Sequence, residues 1–151
     1  MNNSFLSTLS PPSGFTIQDT LSIPYATSLA YHDIEHVLFV GTYHESIDTK
    51  VYAVITATET KKHIYEITEP LRGPNGVTIY KNDLFVATTD SIVLYTDVIK
   101  SMKVGPSKPS RILHVLPPQD VNGARYLLQY QQRLYITINA PCNVPCGRFT
   151  L

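Results

Sequence analysis

Only two cysteines, Cys142 and Cys146, occur in 151 residues, too few for a disulfide framework. A chain of this length buries enough apolar surface to fold without one. A structural zinc takes four ligands, and no second Cys or Cys/His pair stands at ligand spacing, so no metal site is expected. Charge of either sign is also in short supply: twelve basic and twelve acidic residues cancel, and the densest basic cluster is the pair Lys61-Lys62. A nucleic-acid surface needs clustered Lys and Arg, so nucleic acid is not an expected partner. No apolar run approaches the roughly 20 residues that span a bilayer, so no membrane partner is expected. Residues 1–12 lack a basic leader and an apolar core, since Phe5-Leu6 runs at once into Ser7-Thr8. As written the chain reads as cytoplasmic. Asn2-Asn3-Ser4 fits a glycosylation sequon, which has meaning only in a secreted chain.

What the sequence does contain is a repeated pair of short strands. A-T-S-L-A-Y-H-D-I-E-H-V-L-F-V-G-T from Ala26, N-G-V-T-I-Y-K-N-D-L-F-V-A-T-T from Asn75 and N-G-A-R-Y-L-L-Q-Y-Q-Q-R-L-Y-I-T-I-N from Asn122 share one plan. Each has an apolar strand, a polar turn, and an apolar-aromatic strand ending in small residues. Phe39, Phe85 and Tyr135 are the equivalent anchors, and a strand-built repeat of roughly 40–50 residues predicts β-propeller blades. The fold class is therefore all-β, a partial β-propeller of about two and a half blades. Residues 1–13, rich in Asn, Ser and Pro, form a flexible lead, and 14–151 the partial propeller. Blade 1 covers about 26–68, blade 2 about 74–116, and the start of blade 3 about 122–146.

Within these blades, strands are expected at 28–31, 37–42, 50–55 and 63–67, then at 76–80, 84–88, 91–95 and 111–115, and finally at 125–130 and 134–138. A further strand is expected at 15–23, where Phe15, Ile17, Leu21 and Ile23 alternate loosely. Between the last two strands of blade 2, Val98, Ile99 and Met102 share one side of a short helix, with Asp97 as its N-cap. Tyr31, Tyr80 and Tyr130 recur at one blade position, which implies packing and no stacking role. His32 and His36 flank the turn before Val37 and suit a solvated turn; His114, alternating with Ile112 and Val115, suits a strand.

Ala140-Pro141-Cys142-Asn143-Val144, just after Leu134-Tyr135-Ile136-Thr137-Ile138, resembles the A-P-C-N-V signature of sorbosone-dehydrogenase-like proteins. These are relatives of the six-bladed quinoprotein glucose/sorbosone dehydrogenases. Other matches follow in order: Pro12-Ser13-Gly14-Phe15 with Ile17, Phe39-Val40-Gly41-Thr42 with Lys50-Val51-Tyr52-Ala53-Val54, and Pro74-Asn75-Gly76-Val77. The resemblance implies an oxidoreductase acting on sugar CH-OH or aldehyde groups with pyrroloquinoline quinone and calcium, working outside the cytoplasm. It marks Asn75 and Asn143 as cofactor-binding positions. Pro, Asn and Gly are also turn formers, and Pro74-Asn75-Gly76 equally suits a tight turn that opens a strand.

The carry-over has gaps. The family's general base, a His before the Gly opening the third blade, corresponds here to Asn122. An amide cannot accept a proton near neutral pH as imidazole does, so base-assisted hydride transfer is expected to be lost. Pro74 stands where glucose-oxidising relatives have Gln, as in sorbosone-type relatives, and Asn139 where the family usually has Gly. The relatives' quinone-binding basic groups and calcium ligands lie in later blades, so neither cofactor is expected on this chain alone. Cys142 and Cys146, spaced C-x3-C where the family often has C-x2-C, are two thiols in a loop, or a local disulfide in an oxidising compartment. Three functions follow: an inactive sorbosone-dehydrogenase-like protein, a non-catalytic propeller segment serving as a binding or interaction module, or another propeller enzyme such as a lactonase, for which no metal-ligand carboxylates stand out. The open blade edges imply self-association.

Overall fold

A computed structural model describes residues 11–15, 21–55, 63–116 and 125–138. Among these residues ten strands form three sheets, with one short helix. The first sheet is β1 (Ala26–His32), β2 (Val37–Thr42), β3 (Tyr52–Ile55) and β4 (His63–Glu66), paired antiparallel in chain order. The second repeats the plan with β5 (Gly76–Tyr80), β6 (Asp83–Ala87), β7 (Ser91–Tyr95) and β8 (Arg111–Val115). The helix α1 (Val98–Ser101) sits between β7 and β8. The third sheet is the hairpin of β9 (Leu127–Tyr130) and β10 (Arg133–Ile136). The first strand of each sheet packs on the first strand of the next, β1 on β5 and β5 on β9. Four-stranded meanders arrayed side by side through their inner strands are propeller blades, and the fold is a partial β-propeller.

Strand alternation explains how the blades stack. In β6, Leu84 and Val86 point one way and Phe85 and Ala87 the other. The first pair joins Val77, Val93 and Tyr95 against Val37, Phe39, Val51 and Ala53 of the first blade, a continuous apolar core. Val98 and Met102, one helical turn apart, extend this core from α1. The opposite faces of the array are uncovered: Leu29 and Tyr31 on the first blade, Leu128, Tyr130 and Tyr135 on the third.

Several expectations are corrected. Phe15 and residues 21–23, the described ends of the strand expected at 15–23, lie outside any strand, and Phe15 N–H instead closes a turn onto the Pro12 carbonyl at 3.1 Å. Asp97 stands at the N-cap of α1, as expected, but its side chain makes no capping bond. Its backbone is left-handed at φ 48°, and its carboxylate pairs with Lys100. His32 is buried rather than solvated: its Nδ1 accepts the Glu35 N–H at 3.2 Å, which leaves Nε2 to donate to Asn82 Oδ1 at 3.3 Å. Tyr31 and Tyr130 are exposed and Tyr80 is half-buried, and the three do not share one blade position: Tyr80 and Tyr130 close their hairpins opposite Asp83 and Arg133, whereas Tyr31 pairs with Leu38 on the other face of its blade.

Tyr95, in the apolar core, carries a polar atom out of place. Its hydroxyl is buried with no hydrogen-bond partner, and burial, with a smaller contribution from Glu69, pushes the phenol well above its ordinary value of 10.0. The unfolded chain therefore releases this proton first as pH rises. The neutral phenol's contribution is intact below about pH 10 and is lost above it. Tyr95→Phe removes an unsatisfied buried hydroxyl, so it is expected to raise stability by about 1 kcal/mol. It should also flatten the alkaline limb of the stability curve. Urea titrations of both proteins at neutral and alkaline pH check this, and equal alkaline losses would reject it.

Candidate functional site

Buried apolar residues are unremarkable in a blade, whereas buried polar ones are informative. Among the described residues, four of the eight buried polar ones, Thr42, Asn75, Thr88 and Arg125, gather at one end of the inner strands, each at most 2% exposed. Asn75 and Arg125 immediately precede or lie just before β5 and β9, and Ser28 lies near the start of β1, so the three come from three successive blades. A β-bulge between Ala26 and Ser28 interrupts the β1–β2 register at this point. Bulges re-aim side chains, and the Ser28 hydroxyl is directed onto the carbonyl of Asn75.

Asn75 is the node of the cluster. Its carbonyl accepts from Ser28 of the first blade, its N–H donates to Gly73 O at 2.9 Å, and its Oδ1 accepts the backbone N–H of Arg125 in the third blade at 3.0 Å. Its Nδ2 is buried and has no partner. The nitrogen has no solvent access in this arrangement, so a ligand reaches it only if the strand carrying Arg125 shifts. Arg125 Nε donates to the Thr89 carbonyl at 3.2 Å. Burial pulls the guanidinium below its ordinary value while the Asp90 carboxylate pushes it back. The Thr88 hydroxyl lies 2.8 Å from Asp90 Oδ1 and holds the turn that carries this carboxylate.

Two glycines allow the blades to approach this closely. A Cβ on Gly41 would stand 2.5 Å from both the Asn75 carbonyl oxygen and Ser28 Oγ. One on Gly76 would fall on the Arg125 carbonyl oxygen. Both neighbours are backbone or backbone-bound groups, which explains why only glycine fits. Pro74 contributes its carbonyl, which accepts the Thr42 N–H at 3.1 Å and closes the first blade onto the second.

Of the sequence-derived site positions, Asn75 lies at the centre of this cluster, as the opening of a strand and as a tie between blades. Asn122, Asn143, Cys142 and Cys146 lie outside the described residues. His114 is on β8, an exposed strand position on the periphery. Sequence reasoning missed Ser28 and Arg125. A usable signal existed for Arg125, since it stands 50 residues after Asn75 and so near the same position of the repeat. Among the described residues no three His, Cys, Asp or Glu side chains converge in a way that could hold a metal ion. No helix among them is long and apolar enough to cross a membrane.

These blades and their polar axial end define a β-propeller segment. No protein-family model matches the chain, and no curated protein matches it. Among solved structures it is similar to a gluconolactonase from Xanthomonas campestris, described as important in glucose secondary metabolic pathways. The TM-score is 0.57 at 20% sequence identity, covering 87% of this chain and 40% of that one. At that identity the likeness speaks for the architecture, and the chain spans well under half the length of the protein it resembles. It does not extend to a quinoprotein sorbosone dehydrogenase, for which the ordered motifs are the sole support.

Proposed function

We propose that the chain forms part of a sugar-directed β-propeller, with the end where Ser28, Asn75 and Arg125 meet as its ligand-facing end and polyhydroxylated sugar derivatives as its ligand class. The observation that carries this is the Asn75 carboxamide. Leaving a buried donor unmade costs about 1–3 kcal/mol, and such a cost is tolerable where a ligand oxygen supplies the missing partner. Asn75 Nδ2 is that donor, at the one point where three inner strands converge. Support from outside the chain is of two kinds. The motif order resembles sorbosone-dehydrogenase-like proteins, whose substrates are sugar aldehydes, and the similar solved structure is a gluconolactonase.

A second reading, the non-catalytic binding module, is favoured by a specific observation. The carbonyl and Oδ1 of Asn75 are engaged in holding blades together, and its N–H in its own turn. On that reading the node is architectural and any ligand binds elsewhere.

A titration of the full chain followed by amide NMR separates the two. Glucono-δ-lactone, gluconate and a sugar aldehyde are expected to shift the side-chain NH2 pair of Asn75 and the backbone amides of Gly76 and Arg125, saturating in the millimolar range. If none of the three moves these signals, the sugar-directed reading falls and the module reading stands. Pyrroloquinoline quinone, with or without calcium, is expected to show no saturable binding. An anion with several carboxylates needs basic groups converging from several blades to offset its desolvation. Saturable micromolar binding of the quinone would overturn that expectation and favour the dehydrogenase.

A further inference from the structure

The opposite end of the inner strands, about 15 Å away along five residues of strand, differs between the two blade junctions. Between the first and second blades it is closed by the His32–Asn82 contact at 3.3 Å. Between the second and third it is open. A cleft of about 400 Å³ lies there, lined by Tyr80, Lys81 and Phe85 of the second blade and Gln129, Gln132, Arg133 and Leu134 of the third.

We propose that this cleft binds a phosphate monoester carrying an apolar or aromatic body. Three observations converge on it. The lining holds two cations and no carboxylate, and neither Lys81 nor Arg133 has an ion-pair partner among the described residues. Two acids of the second blade are engaged elsewhere: Asp83 Oδ1 accepts the Asp97 N–H at 3.0 Å, and the Asp97 carboxylate pairs with Lys100 at 3.0 Å. Two positive charges match the charge of about −1.5 to −2 on a phosphate monoester near neutral pH better than the single charge of a carboxylate.

The rest of the lining matches the remainder of such a ligand. Phe85 and Leu134 supply apolar wall, and Tyr80 adds a ring over which Lys81 Nζ already sits, 5.5 Å from its centre. Gln129 and Gln132 carry amide donors suited to phosphate or ester oxygens.

The third observation is backbone strain. Lys81, Gln131 and Gln132 all have positive φ, at 54°, 47° and 61°. The last two form the whole loop of the β9–β10 hairpin, since Tyr130 pairs with Arg133. Asn-Gly is the residue pair such a turn prefers, and long side chains in left-handed conformations are held at a cost. Lys81 and Gln132 line the cleft, and two strained, long, polar residues there are the pattern of a site shaped for something other than stability.

The test uses the full chain, with phenyl phosphate as the probe and benzoate and inorganic phosphate as comparators. Phenyl phosphate is expected to bind saturably, to shift the amides of Lys81, Gln132 and Leu134, and to bind about tenfold more tightly than either comparator. Lys81→Gln and Arg133→Gln, both at exposed positions and so without consequence for folding, should each weaken it by about tenfold, and added salt should weaken it further. Gln131→Asn combined with Gln132→Gly should give a more stable protein with poorer binding, whereas Lys108→Gln, at an exposed cation outside the cleft lining, should leave phenyl phosphate affinity unchanged. Absence of saturable binding, or binding that both charge substitutions leave intact, overturns the proposal. Benzoate binding as tightly as phenyl phosphate would overturn the phosphate assignment, and inorganic phosphate doing so would overturn the apolar body.

Discussion

Phe39→Ala is expected to destabilise the chain by about 3–5 kcal/mol, the cost typical of emptying a buried aromatic site. Phe39 is fully buried at the middle of β2, paired with Ala30 on one side and Ala53 on the other. Small residues on both flanking strands leave the ring as the main filler of its layer. The second blade meets it with Val77, Leu84 and Val86, β-sheet residues whose backbones are fixed by their own pairing and cannot collapse into the space. Equilibrium urea unfolding measures the loss. Phe39→Leu, which keeps most of the volume, should recover most of it, and a cost of under about 1 kcal/mol for the alanine variant would show that the two blades do not share one core.

Gly76→Ala is expected to cost about 3 kcal/mol, at the upper end of the range for overpacking. The added methyl meets the Arg125 carbonyl oxygen, a backbone atom that cannot rotate away, and stands 3.1 Å from the Ala87 Cβ on the neighbouring strand. Relief requires the third-blade hairpin to move off the second, which also breaks the hydrogen bond from Arg125 N–H to Asn75 Oδ1. The effect should therefore be local as well as global. Hydrogen exchange in 127–136 should accelerate far more than in β2 or β6. Uniform acceleration across all three blades, or none, would reject this account of the junction.

Blade strands were legible in the sequence because they depend on local information. Alternation in 37–42 and 84–88, turn residues between them, and the recurrence of Phe39 at Phe85 and Tyr135 are all set by neighbours one to four positions away, and the structure places β2, β6 and β10 there. Asn75 was legible for the same reason, since Pro-Asn-Gly opens a strand wherever it occurs. The apolar side of α1 and its N-cap position were legible in Val98, Met102 and Asp97, but the cap's conformation was not: Asp97 is left-handed, its N–H donates to Asp83 on β6, 14 residues away, and its side chain makes no capping bond. What only the tertiary structure decided is which side chains from different blades meet. Ser28 reaches Asn75 across 47 residues and Arg125 reaches it across 50. His32 is buried because Asn82 of the next blade covers it, and Tyr31 and Tyr130 are exposed because, in this array, no blade packs on their side. The cleft between Lys81 and Arg133 likewise exists only once two hairpin turns are set side by side. Strand periodicity records which face of a strand is apolar, and the spacing and twist of adjacent blades determine what that face touches.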